Sequence, residues 1–311
     1  MRVVFFGTPP FAARVLQYLI DNHVDIVAVI TKPDKPQGRS LHLQPTPVKV
    51  VALEHNLPIY QPELVSDIDF APILAQYNAD LFVVVAYGEI IKQHLLDMPK
   101  IACINLHASL LPKYRGAAPI QRCLINGEKE TGITIMHMVK KMDAGDIISV
   151  VKVPLSDEIT YGELEKVLCE EGSKLLLKTI KEFETGKPAQ TPQDAAAITY
   201  APKIELEECE VLWEKPAKDL HNLIRGVFPS PGAWCWVAIK GQKKRLKLLK
   251  TRVIKADSSS PGKILQWREG VVIACGENAL ELLEIQLEGK KAMPASEFAR
   301  GIQENDIAFT P

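Results

Sequence analysis

Long apolar runs are missing from this sequence: no stretch approaches the ~20 consecutive apolar residues that a membrane-spanning helix needs. The opening Met1-Arg-Val-Val-Phe-Phe-Gly turns after a short apolar run and has neither the apolar core nor the small-residue cleavage site of a secretory leader. Net charge is missing as well. Lys+Arg total 37 and Asp+Glu 38, a formal −1, so no global field draws the protein to nucleic acid or membrane. The few cysteines (Cys103, Cys123, Cys169, Cys209, Cys235, Cys275) are scattered with no C-x-x-C pair, which argues against a disulfide framework and a zinc ribbon. The expected compartment is a reducing cytoplasm, with no membrane partner.

Two nucleotide signatures are absent. No G-x-x-x-x-G-K-[ST] occurs, which speaks against ATP-driven chemistry. Gly7-Thr-Pro-Pro follows the first strand where G-x-G-x-x-G would sit, and its two prolines lack the backbone donors that a pyrophosphate uses. The histidines outside position 107 are dispersed and form no H-E-x-x-H, so no metal centre is expected.

What is present is an α/β pattern. Residues 2–6 form a continuous apolar run suited to a strand buried on both faces. Thr8 offers a cap hydroxyl and Pro9 sits at a first helical position, predicting a helix to about Asn22. Further strands are expected at 26–30, 81–86, 101–106 and 134–138, and helices at 48–56, 119–126 and 160–184. Residues 185–204 lack periodicity and read as a linker. Beyond a short helix at 218–226, the pattern changes to glycine-broken alternations at 233–239, 246–253, 262–267, 270–275 and 279–286. The expected fold is a Rossmann-like, mostly parallel sheet with helices on both faces, followed by a small barrel. Residues 1–184 form the catalytic domain, 185–204 the linker and 205–311 the barrel domain.

Charge is uneven along the chain. Lys240, Lys243, Lys244, Arg245, Lys247, Lys250, Arg252 and Lys255 crowd one stretch without an acidic residue. Two readings stand: a sheet edge guarded by lysines, or a phosphate-contacting face on a barrel.

The densest polar cluster begins at the end of a strand, the edge where open α/β sheets hold ligands. It runs from Cys103 through Asn105, His107, Ser109, Leu110, Leu111 and Pro112 to Arg115 and Gly116. Alternation puts Asn105 and His107 on one side. An amide and an imidazole together can hold an oxygen that becomes negative during a reaction. The plainer reading is a strand-end pair tied to loop carbonyls. Leu110 to Pro112 offer an apolar wall for a flat heteroaromatic ligand. In the neighbouring Met142-Asp-Ala-Gly-Asp segment, Asp143 either makes a turn before glycine or faces His107. In the second case it fixes the His107 tautomer, favours its protonated form, or takes a proton directly or through water. Cys103 shares the same face; as a free cysteine deeper in the strand it reads as packing rather than as a nucleophile.

These residues resemble the folate-dependent formyltransferase family, in particular its members that act on a charged tRNA. The resemblance rests on N-L-H-A-S-L-L-P-K-Y-R-G-A-A-P-I-Q (105–121) and M-D-A-G-D (142–146). It is supported by F-F-G-T-P-P-F-A (5–12), K-P-D-K-P-Q-G-R-S (32–40), P-T-P-V-K (45–49), V-V-V-A-Y-G (83–88), E-T-G-I-T-I-M (130–136) and G-K-K-A-M (289–293). It implies a Rossmann-like catalytic domain, a barrel of the OB type that helps hold tRNA, and 10-formyltetrahydrofolate as formyl donor. The implied acceptor is the α-amine of methionine on initiator methionyl-tRNA. By resemblance Asn105, His107 and Asp143 are catalytic, and Ser109, Leu110, Leu111 and Pro112 contact folate with Tyr87 and Gly88 beside them. Arg39 is then a tRNA contact, with Lys243, Lys244, Arg245 and Lys247 on the barrel. The acidic stretch 205–210 departs from a linker that is commonly basic in the family and shifts weight to the barrel cations. No unassigned apolar stripe remains, so a monomer is expected.

Overall fold

Four successive residues without a polar side chain, Val3 to Phe6, make the first strand an interior one. In β1 (Arg2–Gly7) all four are inaccessible to solvent. The structure, a computed structural model, describes residues 1–37, 42–257 and 259–309. After β1 come α1 (Pro10–Asp21), β2 (Asp25–Ile30), β3 (Lys35–Gln37), β4 (His42–Gln44), α2 (Pro47–Glu54), β5 (Ile59–Tyr60), α3 (Ala71–Ala75) and β6 (Leu81–Val85). They are followed by α4 (Gln93–Leu96), β7 (Ala102–His107), α5 (Pro119–Ile125), β8 (Glu130–His137), β9 (Ile147–Pro154) and α6 (Tyr161–Thr185).

The first sheet has the order β5-β2-β1-β6-β7-β8-β9. Pairings from β5 to β7 are parallel, whereas β8 runs antiparallel to β7. One face buries Val4, Phe6, Phe82, Val84 and Cys103 with Leu74 of α3 and Leu95 and Leu96 of α4. The other face meets α6, where a Cβ on Gly172 would lie 3.1 Å from Leu106 Cδ1. The strand order reverses between β1 and β6, so their carboxyl ends open a crevice of the kind that binds ligands in this architecture.

Thr8 does not cap α1. The helix begins at Pro10 with Pro9 in the cap position, and the Thr8 hydroxyl donates to the Tyr87 carbonyl at 2.8 Å. The proline at the helix start has a preset φ and no N–H to satisfy, which leaves that hydroxyl available to join the ends of β1 and β6.

The later part of the chain holds α7 (Ala217–Gly226), β10 (Ala233–Ile239), β11 (Gln242–Ile254), β12 (Ile264–Gln266), β13 (Val271–Ala274), β14 (Ala279–Leu287), β15 (Met293–Pro294), α8 (Ala295–Arg300) and β16 (Ile307–Phe309). Its strands lie in the order β12-β13-β14-β11-β10-β16, paired antiparallel in a nearly closed, barrel-like sheet of the OB type. Lys240 and Gly241, at φ 49° and 78°, join β10 to β11 in the two-residue turn whose twist matches a hairpin. Trp213 is fully buried in the core of this sheet, edge-on to Phe309.

The chain divides into two compact units: Met1–Gly116 with Glu130–Val153 and Glu165–Ala201, and Ala117–Lys129 with Pro154–Leu164 and Pro202–Pro311. Segments 117–129 and 154–164 thus fold with the later unit. Arg225 of α7 donates to the Ser156 and Ile159 carbonyls, and Gly226 lets Ile125 of α5 come close.

The same helix carries a buried histidine with a testable consequence. His221 Nε2 donates to the Asp157 carbonyl at 3.0 Å, and its Nδ1 accepts from the Thr251 hydroxyl at 3.0 Å. That arrangement satisfies a neutral ring, and burial holds its pKa below the usual 6.5. As pH falls through about 6.5 the unfolded chain therefore takes up a proton that the folded chain refuses. Stability then declines by at most about 1.4 kcal/mol per pH unit from this group. Thermal melts between pH 7 and 5 should show the wild type losing Tm more steeply than His221→Gln. Parallel curves would place the acid sensitivity elsewhere.

Candidate active site

β7 places the first two candidates. Directly opposed residues on antiparallel neighbours share a face, and Asn105 faces Met136 while His107 faces Thr134. Asn105, His107, Met136 and Thr134 therefore project from one side of the sheet, continuing the face of Phe82, Val84 and Cys103. Asn105 is half-buried, and among the described residues its amide has no protein hydrogen-bond partner. Cys103 is buried and burial raises its thiol pKa, as packing requires and nucleophilic chemistry does not.

His107 is buried and its Nε2 lies 2.9 Å from the Tyr114 carbonyl. A carbonyl only accepts, so Nε2 carries hydrogen and Nδ1 is the nitrogen turned toward Asp143, 3.8 Å from Oδ2. Asp143 Oδ2 also accepts from the Gly116 N–H at 2.8 Å. The structure thus brings together His107 and Asp143, 36 positions apart in sequence.

The route to that meeting is not the one a parallel sheet suggests. β8 is antiparallel, with His107 opposite Thr134 and Ile104 opposite His137. The chain therefore leaves β8 opposite Ile104, heading toward the amino end of β7 and away from His107. Residues 138–146 return across the face: Met138 N–H donates to the Cys103 carbonyl, and His137 N–H to the Asp146 carbonyl. Asp143 ends with a left-handed backbone at φ 50°, uncommon for a residue with a side chain.

Residues 191–201, read from sequence as linker, close this corner. Gln193 Oε1 accepts from Arg115 Nε and Nη2 at 3.1 and 2.7 Å, while its Nε2 donates to the carbonyls of Asp143 and Gly145 at 2.8 Å each. Thr199 Oγ1 accepts from Tyr114 N–H, and the Ala201 N–H donates to the Arg115 carbonyl. Sequence reasoning missed Gln193 and Thr199 because the stretch from Thr191 to Thr199 carries no periodic signal, and the Tyr114 carbonyl because a backbone acceptor leaves no mark in the side-chain pattern.

The Ser109–Pro112 segment is held in place by polar bonds around an apolar surface. The Thr134 hydroxyl donates to the Ser109 carbonyl and accepts from Leu111 N–H, and Ser109 Oγ donates to the Lys113 carbonyl. Leu111 is buried while Leu110 and Pro112 are half-buried. Of the flanking pair, Tyr87 turns its ring into the core against Phe6, its hydroxyl buried with no partner among the described residues, and Gly88 is exposed with open space around it. Arg39 lies outside the described residues.

On the barrel β11 lies between β14 and β10, but β14 pairs it only from Leu246 onward, so Lys247, Lys250 and Arg252 are on an interior strand while Lys243 and Lys244 pair with β10 alone. Lys243, Arg245 and Lys247 oppose Ala238, Trp236 and Trp234, so all six share the outer face. Lys243 Nζ lies 4.4 Å from the Trp236 ring centre, and Arg245 lies 4.1 Å from that of Trp234. Lys247 Nζ reaches the Pro231 carbonyl. Lys244 opposes Val237 on the core-facing side and is half-buried, apart from that row. Among the described residues no carboxylate pairs with these four cations, whereas Arg252 is paired with Glu281. In the acidic stretch 205–210, Glu208 takes a two-pronged bond from Arg122 at 2.8 and 3.0 Å, which holds its carboxyl below the usual range.

Among the described residues no group of three His, Cys, Asp or Glu side chains could hold a metal ion, and no helix is long and apolar enough to cross a membrane. Comparison with known proteins bears on this geometry. Residues 1–180 match the formyl transferase family model, and residues 203–303 match the model for the formyl transferase C-terminal domain. A methionyl-tRNA formyltransferase of Protochlamydia amoebophila is 61% identical over 99% of this chain and 98% of its own. Its counterpart in Staphylococcus epidermidis is 41% identical over 98% and 97%. Among solved structures, an N-formyltransferase of Helicobacter canadensis in complex with folinic acid and dTDP-3-aminofucose superposes with a TM-score of 0.68. It is 21% identical, with 90% of this chain and 98% of that one covered. HypX of Aquifex aeolicus in complex with tetrahydrofolic acid gives a TM-score of 0.62 at 19% identity, covering 96% of this chain and 46% of that longer one. The two structures, at such low identity, speak to the fold alone. The two family models span nearly the whole chain and full-length relatives stand far above chance identity, so this chain belongs to the formyl transferase family.

Proposed function

We propose that the chain transfers the formyl group of 10-formyltetrahydrofolate to the α-amine of methionine on initiator tRNA, yielding formylmethionyl-tRNA for translation initiation. The observation that carries the chemistry is the meeting of His107 with Asp143 on the face that also carries the amide of Asn105. The acceptor follows from relatives that share the full length of the chain.

The folate co-substrate supplies an activated formyl group, and Leu110 to Pro112 would give its ring an apolar surface. The neutral amine attacks the formyl carbon and a C–N bond forms as the carbonyl electron pair moves to oxygen. The Asn105 N–H and the His107 ring stabilise that oxygen, a role in which one donor is worth about 10²–10³ in rate. The free oxygen of Asp143 takes the amine proton directly or through water, because its other oxygen is held by Gly116 N–H. The carbonyl reforms, the bond to the folate nitrogen breaks, and that nitrogen takes the proton.

Lys243, Arg245 and Lys247 on the barrel would meet tRNA phosphates; the rings of Trp234 and Trp236 limit the motion of the first two. The test is formyl transfer from 10-formyltetrahydrofolate to charged initiator tRNA, uncharged tRNA, free methionine and a sugar-nucleotide amine. Only the charged tRNA should accept formyl; transfer to the sugar amine with none to tRNA would overturn the reading. In the same system tRNA affinity should fall steeply with salt. Replacing Lys243 or Arg245 by Gln should each flatten the log–log slope by about 0.7–0.9. An unchanged slope would remove that residue from the phosphate contacts.

A further inference from the structure

We propose that Gln193 is a positioning residue for formyl transfer, one that holds Asp143 in register with His107; this rests on the reading of Asp143 as the proton acceptor. The argument starts from the path of the chain. Residues 138–146 leave β8 heading toward the amino end of β7, away from His107, and double back, so nothing in the ladder of β7 and β8 dictates where Asp143 comes to rest. Its carboxylate is anchored at one atom by the Gly116 N–H, and its backbone sits in the left-handed region at φ 50°. Such a conformation persists where its surroundings over-determine it.

The Gln193 side chain supplies that determination. Its amide nitrogen spends both hydrogens on the carbonyls of Asp143 and Gly145, each at 2.8 Å. Its oxygen takes two N–H bonds from the buried Arg115, the residue before Gly116. One planar amide therefore ties the loop that carries Asp143 to the loop that anchors the Asp143 carboxylate. The backbone carbonyls of residues 143 and 145 and the loop that anchors the Asp143 side chain are set relative to the same group. A shift of about 1 Å in a reacting group costs about 10²-fold in rate, and the 3.8 Å between His107 Nδ1 and Asp143 Oδ2 leaves little tolerance.

Gln193→Glu separates the two halves of this tie, because a carboxylate still accepts from Arg115 but has no hydrogen for the Asp143 and Gly145 carbonyls. Measured on the full-length enzyme with 10-formyltetrahydrofolate and charged tRNA, kcat should fall about 30- to 100-fold, with both KM values within about threefold. In an Asp143→Asn background the same substitution should lower kcat by less than about threefold, since its effect passes through a carboxylate already gone. A change that merely loosened the fold would lower kcat equally in both backgrounds, and that result, or an unchanged kcat, overturns the proposal. Should Gln193→Glu not fold, Gln193→Met, which removes every one of the bonds at similar size, is taken through the same cycle. If Asp143→Asn alone retains full activity, the assignment of Asp143 fails and takes this proposal with it. If Asp143→Asn is slow and Gln193→Glu is normal, only the proposal fails.

Discussion

Formyl transfer by Asp143→Asn should run about 10²–10⁴-fold below wild type, the span expected when a positioned proton acceptor is removed. Asparagine retains an oxygen for the Gly116 N–H, so the loop stays seated and Tm should hardly move. What disappears is the negative charge 3.8 Å from His107 Nδ1 and the capacity to take a proton. His107→Ala should cost about 10²–10³ in kcat through loss of a donor to the developing oxyanion. It also removes the bond between the His107 ring and the Tyr114 carbonyl, a stability loss of about 0.5–1.5 kcal/mol. The two side chains serve one transfer, so the double variant should be little slower than the worse single one. Turnover and melting temperature measured together check this. Near-wild-type kcat in either single variant, or a double loss equal to the product of the singles, would reject the shared role.

Gly145→Ala should damage the same reaction without touching a reacting group. A Cβ at this position would stand 1.8 Å from the His137 carbonyl oxygen and 2.7 Å from its carbon. Both are backbone atoms at the end of β8, so no side chain can swing aside. Either the strand end or the loop carrying Asp143 must move, and crowding of this kind costs about 1–3 kcal/mol. Because Asp143 lies two residues earlier, kcat should fall about 10²-fold along with the loss in Tm. Gly301→Ala is the control, since its nearest new neighbour would be 3.5 Å away, and it should leave both quantities as they were. Normal turnover in Gly145→Ala would mean that the loop has slack and that His107 and Asp143 do not depend on its path.

Periodicity made the outline of the fold legible. The apolar runs at 2–6, 26–30, 81–86 and 101–106 became β1, β2, β6 and β7, since a strand buried on both faces must be apolar throughout. The long helix at 160–184 and the change to glycine-broken alternation after residue 226 were legible for the same local reason. Asn105 and His107 could be placed on one face because the two-residue period of a strand is a local property.

Where the reading stopped, the missing information was long-range. Thr8 has the composition of a helix cap, but the carbonyl it bonds belongs to residue 87, and no local rule selects a partner that distant. The direction of β8 and the edge strand β9 were not legible, because pairing direction is set by which neighbour a strand meets. Gln193 sat in a stretch without periodicity, and its importance comes from two loops, one at 115 and one at 143–145, converging on one amide. Near-neighbour sterics and hydrophobic spacing were enough to mark the interior strands and the longer helices. Bringing His107 within 3.8 Å of Asp143 required the chain to fold back on itself, because hydrogen bonds between distant backbone segments depend on positions that exist only after the sheet has assembled.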